Sequence, residues 1–498
     1  MKTFRTLWTA LFLSCVGVSA AMAEGEPAAL RLPKIFSDHM VLQRGMPIPV
    51  YGWAGPGDTV RVTLGKQSAS AVVADDGRWI VRLPKRRAGG PYELIVTDGT
   101  LTKSYQDVVV GEVWLCSGQS NMTLPLSETQ DGDKEAAAAS NPSIRFFHLN
   151  YDLDHLANQP KDDFDGEGYG WECCSPGRAG AMSAVAYYLG KALQRELDVP
   201  IGLIHSSWGG VAIAAFTPRE GIVADPDLAE LLKDWDRQWA DYRATGDEAK
   251  NPNRHENFNN AIQQPAGLYN GAIAPFVPYG LRGVAWYQGE TDAGNPAPYC
   301  ERLTRMIHLW RQAWGLREMP FLIVQLPNFG EPTEGPAESG WAQVRDAQRQ
   351  AAEATGSEFI VTIDVGEADN IHPMNKEVVG ERVARAALAR VYGRRGVCYS
   401  GPVVKSVRCK KDTLVVKFRH ARGGLCTSDG GRVNGFVIAD STGQFRKAEA
   451  RIDGRRVVVS SPDIGEPARV RYAWADNPVC NLCNKAQLPA GPFQAEAR

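Results

Sequence analysis

The chain has 498 residues, with 55 Lys and Arg against 57 Asp and Glu, for a formal net charge of −2. That balance excludes a basic surface built for phosphate backbones, so nucleic acid is not an expected partner. Charged residues make up 22% and hydrophobic residues 44%, a globular and not a disordered profile. The length predicts about two to four domains, with core enough to fold without disulfides.

At the amino end, Lys2 and Arg5 precede an apolar run from Leu7 to Val18, and Ala21-Met22-Ala23 supplies a small-x-small cleavage pattern. This predicts a signal peptide over residues 1–23, cleaved after Ala23, and hence a secreted or periplasmic protein. The run falls short of the roughly 20 apolar residues that span a bilayer. No later stretch is longer, so no membrane insertion is expected after cleavage. Nine cysteines follow the cleavage site: Cys116, Cys173, Cys174, Cys300, Cys398, Cys409, Cys426, Cys480 and Cys483. Some of them can pair in an oxidising compartment, and an odd number leaves at least one without a partner in the chain. Cys480-x-x-Cys483 has no second half at zinc spacing, which favours a local disulfide or buried thiol over a metal site. Adjacent Cys173 and Cys174 cannot easily bridge each other.

Residues 24–106 read as an amino-terminal β-sandwich. Strand-like runs at Ile48 to Trp53, Thr59 to Leu64, Trp79 to Leu83 and Tyr92 to Val96 are separated by Gly55-Pro56-Gly57-Asp58, Asp75-Asp76-Gly77 and Gly89-Gly90-Pro91. From 107 to 395 strands alternate with amphipathic helices. The strands are Val108 to Leu115, Ile201 to Ile204, Gly283 to Tyr287, Pro320 to Gln325 and Phe359 to Ile363. One helix carries the stripe Leu303, Met306, Ile307, Trp310 and Trp314, and another carries Val379, Val383, Ala387 and Val391. Apolar strands with crossover helices predict an α/β fold with a mainly parallel sheet covered on both faces. Active sites of such sheets sit at the carboxyl ends of the strands. Residues 219–262 form a polar helical insertion with Leu228, Leu231, Leu232 and Trp235 on one face, read as a cover near the site. Residues 396–498 return to β signals, at Val403-Val404, Leu414 to Phe418, Phe436 to Ile438 and Val457 to Val459.

Four blocks at strand ends carry chemistry. Ser117-Gly118-Gln119-Ser120-Asn121-Met122 places a serine in a strand-to-helix turn, where its hydroxyl is exposed and first-turn amides can meet negative charge. Ser206-Ser207-Trp208-Gly209-Gly210 supplies paired glycines that permit close backbone approach. In Trp286-Tyr287-Gln288-Gly289-Glu290, the Gln288 amide can donate to an oxyanion, while Glu290 is a site acid or, the favoured reading, a support for neighbouring loops. In Asp369-Asn370-Ile371-His372-Pro373, a carboxylate three residues before a histidine can orient the ring and leave its other nitrogen for a serine. Of the other histidines, His39, His148, His155, His205, His255, His308 and His420, only His205 lies near a strand end and rivals His372 as base. Trp208, Trp286 and Tyr287 are either sugar-stacking aromatics or core.

The order of these blocks resembles the SGNH, or GDSL-like, hydrolase superfamily. More closely, Gly111 to Met122 resembles the hallmark of the sialate O-acetylesterase-like family. The likeness extends to Lys34 to Gln43, Leu268 to Pro275, Trp286 to Glu290, Ile371 to Pro373 and Tyr472 to Pro478, nearly the whole chain after the leader. It implies a flavodoxin-like three-layer central domain with β-rich flanks. It also implies Ser120 as nucleophile, His372 as base and Asp369 as its orienting carboxylate. The implied oxyanion hole is the Ser120 amide, a glycine amide (Gly210, with Gly209 as the alternative) and the Gln288 side chain. Gln119, Asn121, Trp208 and Glu290 are the implied substrate contacts. Val211 stands where the family usually has Thr. The implied substrate is an O-acetylated carbohydrate, either sialic acid or acetylated polysaccharide such as xylan, and the chemistry requires no metal or organic cofactor. A general esterase or lipase, and a non-catalytic carbohydrate-binding protein, are the alternatives; the Ser120, Asp369 and His372 set argues against the last.

Overall fold

The computed structural model describes residues 29–149 and 153–497; the predicted signal peptide lies outside the described residues. The amino-terminal part is β-rich: β1 (Val41–Gln43), β2 (Ile48–Trp53), β3 (Thr59–Leu64), β4 (Gln67–Val72), β5 (Arg78–Leu83) and β6 (Gly89–Thr97). β3 alternates exposed and buried residues, with Val60, Val62 and Leu64 facing the core, as a strand with one solvated face must. The next strand, β7 (Thr102–Gly118), is 17 residues long and belongs to two regions. Its first half pairs antiparallel with β6 and parallel with β1, and its second half is the centre of the α/β sheet. The boundary expected at residues 106 and 107 therefore falls inside one continuous strand.

At the changeover Glu112 is fully buried. Gln43 and Arg282 bond its Oε2 at 3.0 and 2.6 Å, and Arg44 bonds its Oε1. Gln43 Oε1 also accepts from Val113 N at 2.7 Å, replacing the ladder bond lost where β1 ends. A buried carboxylate is tolerable only when its lone pairs are filled in this way. The Lys34 to Gln43 segment is thus a clasp on β7.

The central sheet adds β8 (Asn141–His148), β9 (Trp171–Cys174), β10 (Ile201–Ser207), β11 (Gly283–Tyr287) and β12 (Phe321–Val324), then the short β13 (Pro332–Thr333) outside it and β14 (Glu358–Ile360) within it. Its order is β14-β12-β11-β7-β10-β8-β9, parallel except for β8 with β9. Helices α1 (Ser120–Thr123), α2 (Gly132–Ala138), α3 (Pro176–Ala179), α4 (Ala184–Leu197), α5 (Arg219–Val223), α6 (Pro226–Thr245), α7 (Phe258–Ala261), α8 (Tyr299–Ala313), α9 (Gly340–Thr355) and α10 (Lys376–Arg390) complete it. α4 and α10 cover one face with Val185, Leu189, Val379 and Val383, while the α8 stripe of Leu303, Met306, Ile307 and Trp310 covers the other. This is the three-layer arrangement expected for a buried parallel sheet. In α6 Leu228, Leu232 and Trp235 are buried, but Leu231 is 41% exposed, so the apolar face of the insertion is narrower than its spacing suggested.

Among the described residues the carboxy-terminal part holds two four-stranded antiparallel sheets around Val416, Ile438, Val459 and Tyr472, and a two-stranded one beside them. It is joined to the centre by Arg345 of α9, which is fully buried and donates to the carbonyls of Leu326, Pro327, Ala475 and Asp476. β13 pairs with Asn477–Pro478 beside it. Cys483 does not pair locally with Cys480: it faces Cys426 across two antiparallel strands, with the sulfurs 3.2 Å apart as thiols. No helix among the described residues is long and apolar enough to cross a membrane.

Candidate active site

Three neighbouring parallel strands, β10, β7 and β11, end level with one another. Ser207 is opposite Gly118, and Gly118 is opposite Tyr287. Two backbone bonds beyond the ends, Trp208 N to Gly118 O and Gln119 N to Tyr287 O, both 2.9 Å, continue the ladder into the loops. Gly118 has φ +138°, and a Cβ there would lie 2.1 Å from Tyr287 O, so only glycine lets the chain turn at this point. Ser120 follows as the first residue of α1, half-buried, its amide among those of a first helical turn that have no intrahelical acceptor.

Beneath Ser120 lies a buried polar floor. Gln119 Oε1 accepts from Gly289 N at 3.1 Å. Asn121 Nδ2 donates to Glu290 Oε1 at 2.6 Å and to Ile371 O at 3.1 Å, while Asn121 Oδ1 accepts from Lys376 Nζ at 2.6 Å. Gln119, Asn121 and Glu290 are 2%, 1% and 8% exposed. The expected role of Asn121 and Glu290 as substrate contacts is corrected accordingly: the Asn121 amide is spent on Glu290, Ile371 and Lys376, and Glu290 supports the loops, its favoured reading, while Gln119 commits its Oε1 to Gly289 N. Burial raises the Glu290 carboxyl above its ordinary range, against the opposing bond from Asn121.

Gln288 also departs from expectation. It is fully buried, and its two Nε2 hydrogens go to Val211 O at 3.1 Å and Asp292 Oδ2 at 2.6 Å. Its Oε1 accepts from Tyr299 Oη at 2.9 Å. With both donors committed it has none for an oxyanion, and the expected donor role is corrected to that of a strut. Asp292 Oδ2 also accepts from Ile213 N at 3.0 Å, so the pair fixes the loop after Gly210 from one side. Gln263, from the 219–262 insertion and its flank, fixes it from the other: its Nε2 donates to Gly210 O at 2.7 Å and its Oε1 accepts from Ala212 N at 3.2 Å. Gly210 itself is exposed with φ +72°. Val211 is fully buried, so the side chain at that position is core.

Trp286 and Tyr287 are fully buried and are core, not sugar platforms. Trp208 is 3% exposed, too covered to offer a face, but it packs 6.4 Å (ring centroids) from Phe258 of α7, which is 39% exposed. His205 is spent elsewhere: Nε2 meets Ser207 Oγ at 2.6 Å and Nδ1 meets His148 Nδ1 at 2.8 Å. Burial, with the neighbouring His148, holds it well below the ordinary imidazole range, and it is not the base.

His372 is half-buried on the loop before α10. Its amide donates to Asn370 Oδ1 at 2.9 Å, and Glu367 accepts from Met374 N at 2.8 Å and from Asn370 Nδ2 at 3.0 Å. Asp369 is exposed, and among the described residues no hydrogen bond joins it to the His372 ring, nor the ring to Ser120. The expected carboxylate-to-imidazole bond is therefore not formed in this structure, because Asp369 lies on the solvent side of the loop. Burial, then the Lys376 ammonium, lowers the His372 imidazole from its ordinary 6.5.

The residues missed by sequence reading are Lys376, Asp292, Gln263 and Phe258. Asp292 and Lys376 follow Gln288 and His372 at i+4, a local signal; Gln263 and Phe258 sit in a stretch with no pattern. Among the described residues one group offers metal-ligand atoms close together, within 4.8 Å: His39, Asp107 and Cys173. Asp107 there already pairs with Arg145 at 3.0 Å, and it lies at the other end of β7, roughly 35 Å from Gly118 along the strand.

An α/β sheet of this order, with a serine turn and a histidine loop at its carboxyl edge, has the SGNH-type architecture, and its relatives make it a carboxylic ester hydrolase. A family model described as carbohydrate esterase, sialic acid-specific acetylesterase, matches residues 110–389, and the chain belongs to that family. A solved carbohydrate acetylesterase from Xanthomonas citri is 36% identical, with a TM-score of 0.81 over 94% of this chain and 99% of that one. The sialate O-acetylesterases of Mus musculus and Homo sapiens are 26% and 28% identical, covering 96% and 93% of this chain and 96% and 92% of their own.

Proposed function

We propose that the protein is a secreted serine O-acetylesterase that removes acetyl groups from carbohydrate through an acetyl-serine intermediate. The observation that carries this reading is the shared tether: Asn121, next to Ser120, bonds Ile371 O, next to His372. That bond couples the nucleophile turn to the histidine loop across 250 residues of sequence.

In this reading the His372 ring takes the Ser120 proton as Oγ attacks the acetyl carbonyl. The Ser120 amide and the amide of Gly210 (or Gly209) stabilise the oxyanion, each worth about 3 kcal/mol. Collapse breaks the ester bond, and the imidazolium returns its proton to the departing sugar oxygen. Water, deprotonated by the same ring, then releases acetate and restores Ser120. Asp369 orients the ring after rotating inward, as the Asp-x-x-His pattern of the family implies. Phe258, backed by Trp208, offers the apolar platform for a sugar ring, since aromatic faces match the C–H faces of pyranosides. The platform comes from the insertion, which in this reading tunes substrate choice.

Sialic acid is the sugar named for the mammalian relatives, whereas the higher identity to a bacterial carbohydrate acetylesterase favours keeping acetylated polysaccharide as the second reading. Acetate release from O-acetylated sialic acid and from acetylated xylo-oligosaccharide, with Ser120→Ala as control, tests both. Release from one substrate, lost in the control, supports the mechanism and selects the sugar; release surviving in the control refutes Ser120 as nucleophile. Amino-terminal sequencing of exported protein tests cleavage after Ala23.

A further inference from the structure

Lys376 has no part in the steps above, yet its placement is costly three times over. It is 1% exposed, so its charge is desolvated. It is the first residue of α10, where the helix dipole disfavours a cation. Among the described residues its Nζ makes one hydrogen bond, to Asn121 Oδ1, at 2.6 Å. A neutral donor would hold Asn121 equally well without these costs, so the charge itself needs an explanation. The groups around it are Glu290 from the β11 loop, Glu367 and His372 from the histidine loop, and the ring of Tyr287, whose centroid lies 5.8 Å from Nζ. Glu290 leans on the same amide through Oε1, and its buried Oε2 has no hydrogen-bond partner. Its own backbone N–H, the nearby ammonium and the Gly289 N–H supply the rest of its compensation.

We propose that Lys376 is a charge-setting positioning residue: its buried ammonium, fixed by Asn121 and sustained by Glu290, keeps the His372 ring in its neutral, proton-accepting form. The inference rests on His372 being the base, as read above. The electrostatics agree in sign. Burial pulls Lys376 down to about 7 while Glu290 and then Glu367 push back; burial first, and then the ammonium, depresses His372.

The test uses the full secreted chain and the pH profile of kcat/KM for p-nitrophenyl acetate. Lys376→Gln keeps a donor for Asn121 but removes the charge; Lys376→Arg keeps the charge. The acid limb of Lys376→Gln should move to higher pH by roughly half a pH unit or more, while that of Lys376→Arg stays at the wild-type position. The His372 imidazole, followed by NMR in Ser120→Ala and in Ser120→Ala/Lys376→Gln proteins, should show the same displacement independently of turnover. An acid limb and an imidazole titration left in place by Lys376→Gln would overturn the inference, whatever happens to kcat. Activity retained by His372→Ala would instead overturn the assignment of the base, so the two failures are distinguishable.

Discussion

The turn carrying Ser120 is fixed by the sheet itself, through the backbone bonds of Gln119 to Tyr287 and of Trp208 to Gly118 at the ends of buried strands. The loop carrying His372 is held by side chains instead: Asn121 on Ile371 O, Asn370 on the His372 amide, Glu367 on Met374. Backbone ladders in a packed core open only with the core, whereas side-chain tethers can be cut singly. The Ser120 half should therefore tolerate little change near its backbone, and the His372 half should respond in small, separable steps.

The largest effect is expected where both halves lose their chemistry. Ser120→Ala and His372→Ala should each lower kcat/KM by about 10³-fold or more, with melting temperature nearly unchanged, as acetate-release kinetics and thermal unfolding can check. Cutting the tether comes next. Asn121→Ala leaves Glu290 and Lys376 buried without their shared amide, for a loss of roughly 2–4 kcal/mol of stability and a drop in kcat; an unchanged melting temperature would show that the halves stand independently.

Gln288→Ala and Asp292→Ala should then cost similar amounts, about 10- to 100-fold in kcat, and the double variant little more, since both release one loop. Additive losses in the double-mutant cycle would return Gln288 to the oxyanion hole. For pH, the proposed mechanism uses the neutral form of His372, whose affinity for protons is depressed below the ordinary 6.5 by burial and then by Lys376. Activity should therefore persist below pH 6.5 and fall only as pH drops through the lower value; an acid limb centred above 6.5 would contradict the geometry. The smallest effect concerns the rim: Phe258→Ala should raise KM for an acetylated oligosaccharide about fivefold, equivalent to about 1 kcal/mol, while leaving p-nitrophenyl acetate turnover alone.

Much of the frame was legible beforehand. Ile48–Trp53, Thr59–Leu64 and Gly283–Tyr287 are strands over the very residues read from alternation or continuous apolarity. The α8 stripe is buried as its spacing implied, and so are Val379, Val383 and Ala387 of α10, while Val391 lies just past the helix end and is only partly buried. Leu231 misled because a 3.6-residue period identifies a face but not how wide a neighbour covers it. The domain boundary misled because β7 carries no break where its neighbours change.

By itself the sequence placed strands such as Ile48–Trp53, Thr59–Leu64 and Gly283–Tyr287, the helices of the Leu303 and Val379 stripes, and the turn that carries Ser120 at a strand end; β8, β9, α4 and α9 were not read from it. Those properties depend on local period, on glycine at positions such as Gly118, and on a mainly parallel sheet presenting its loops at one edge. Only the tertiary structure decided what the polar side chains do. Gln288 has the right amide for an oxyanion but spends it on Val211 and Asp292; Asp369 has the right spacing but faces solvent; Glu290 and Lys376 meet on Asn121 inside the floor. A side-chain hydrogen bond is satisfied by whatever partner the fold brings within about 3 Å, however distant in sequence. No local spacing encodes that choice.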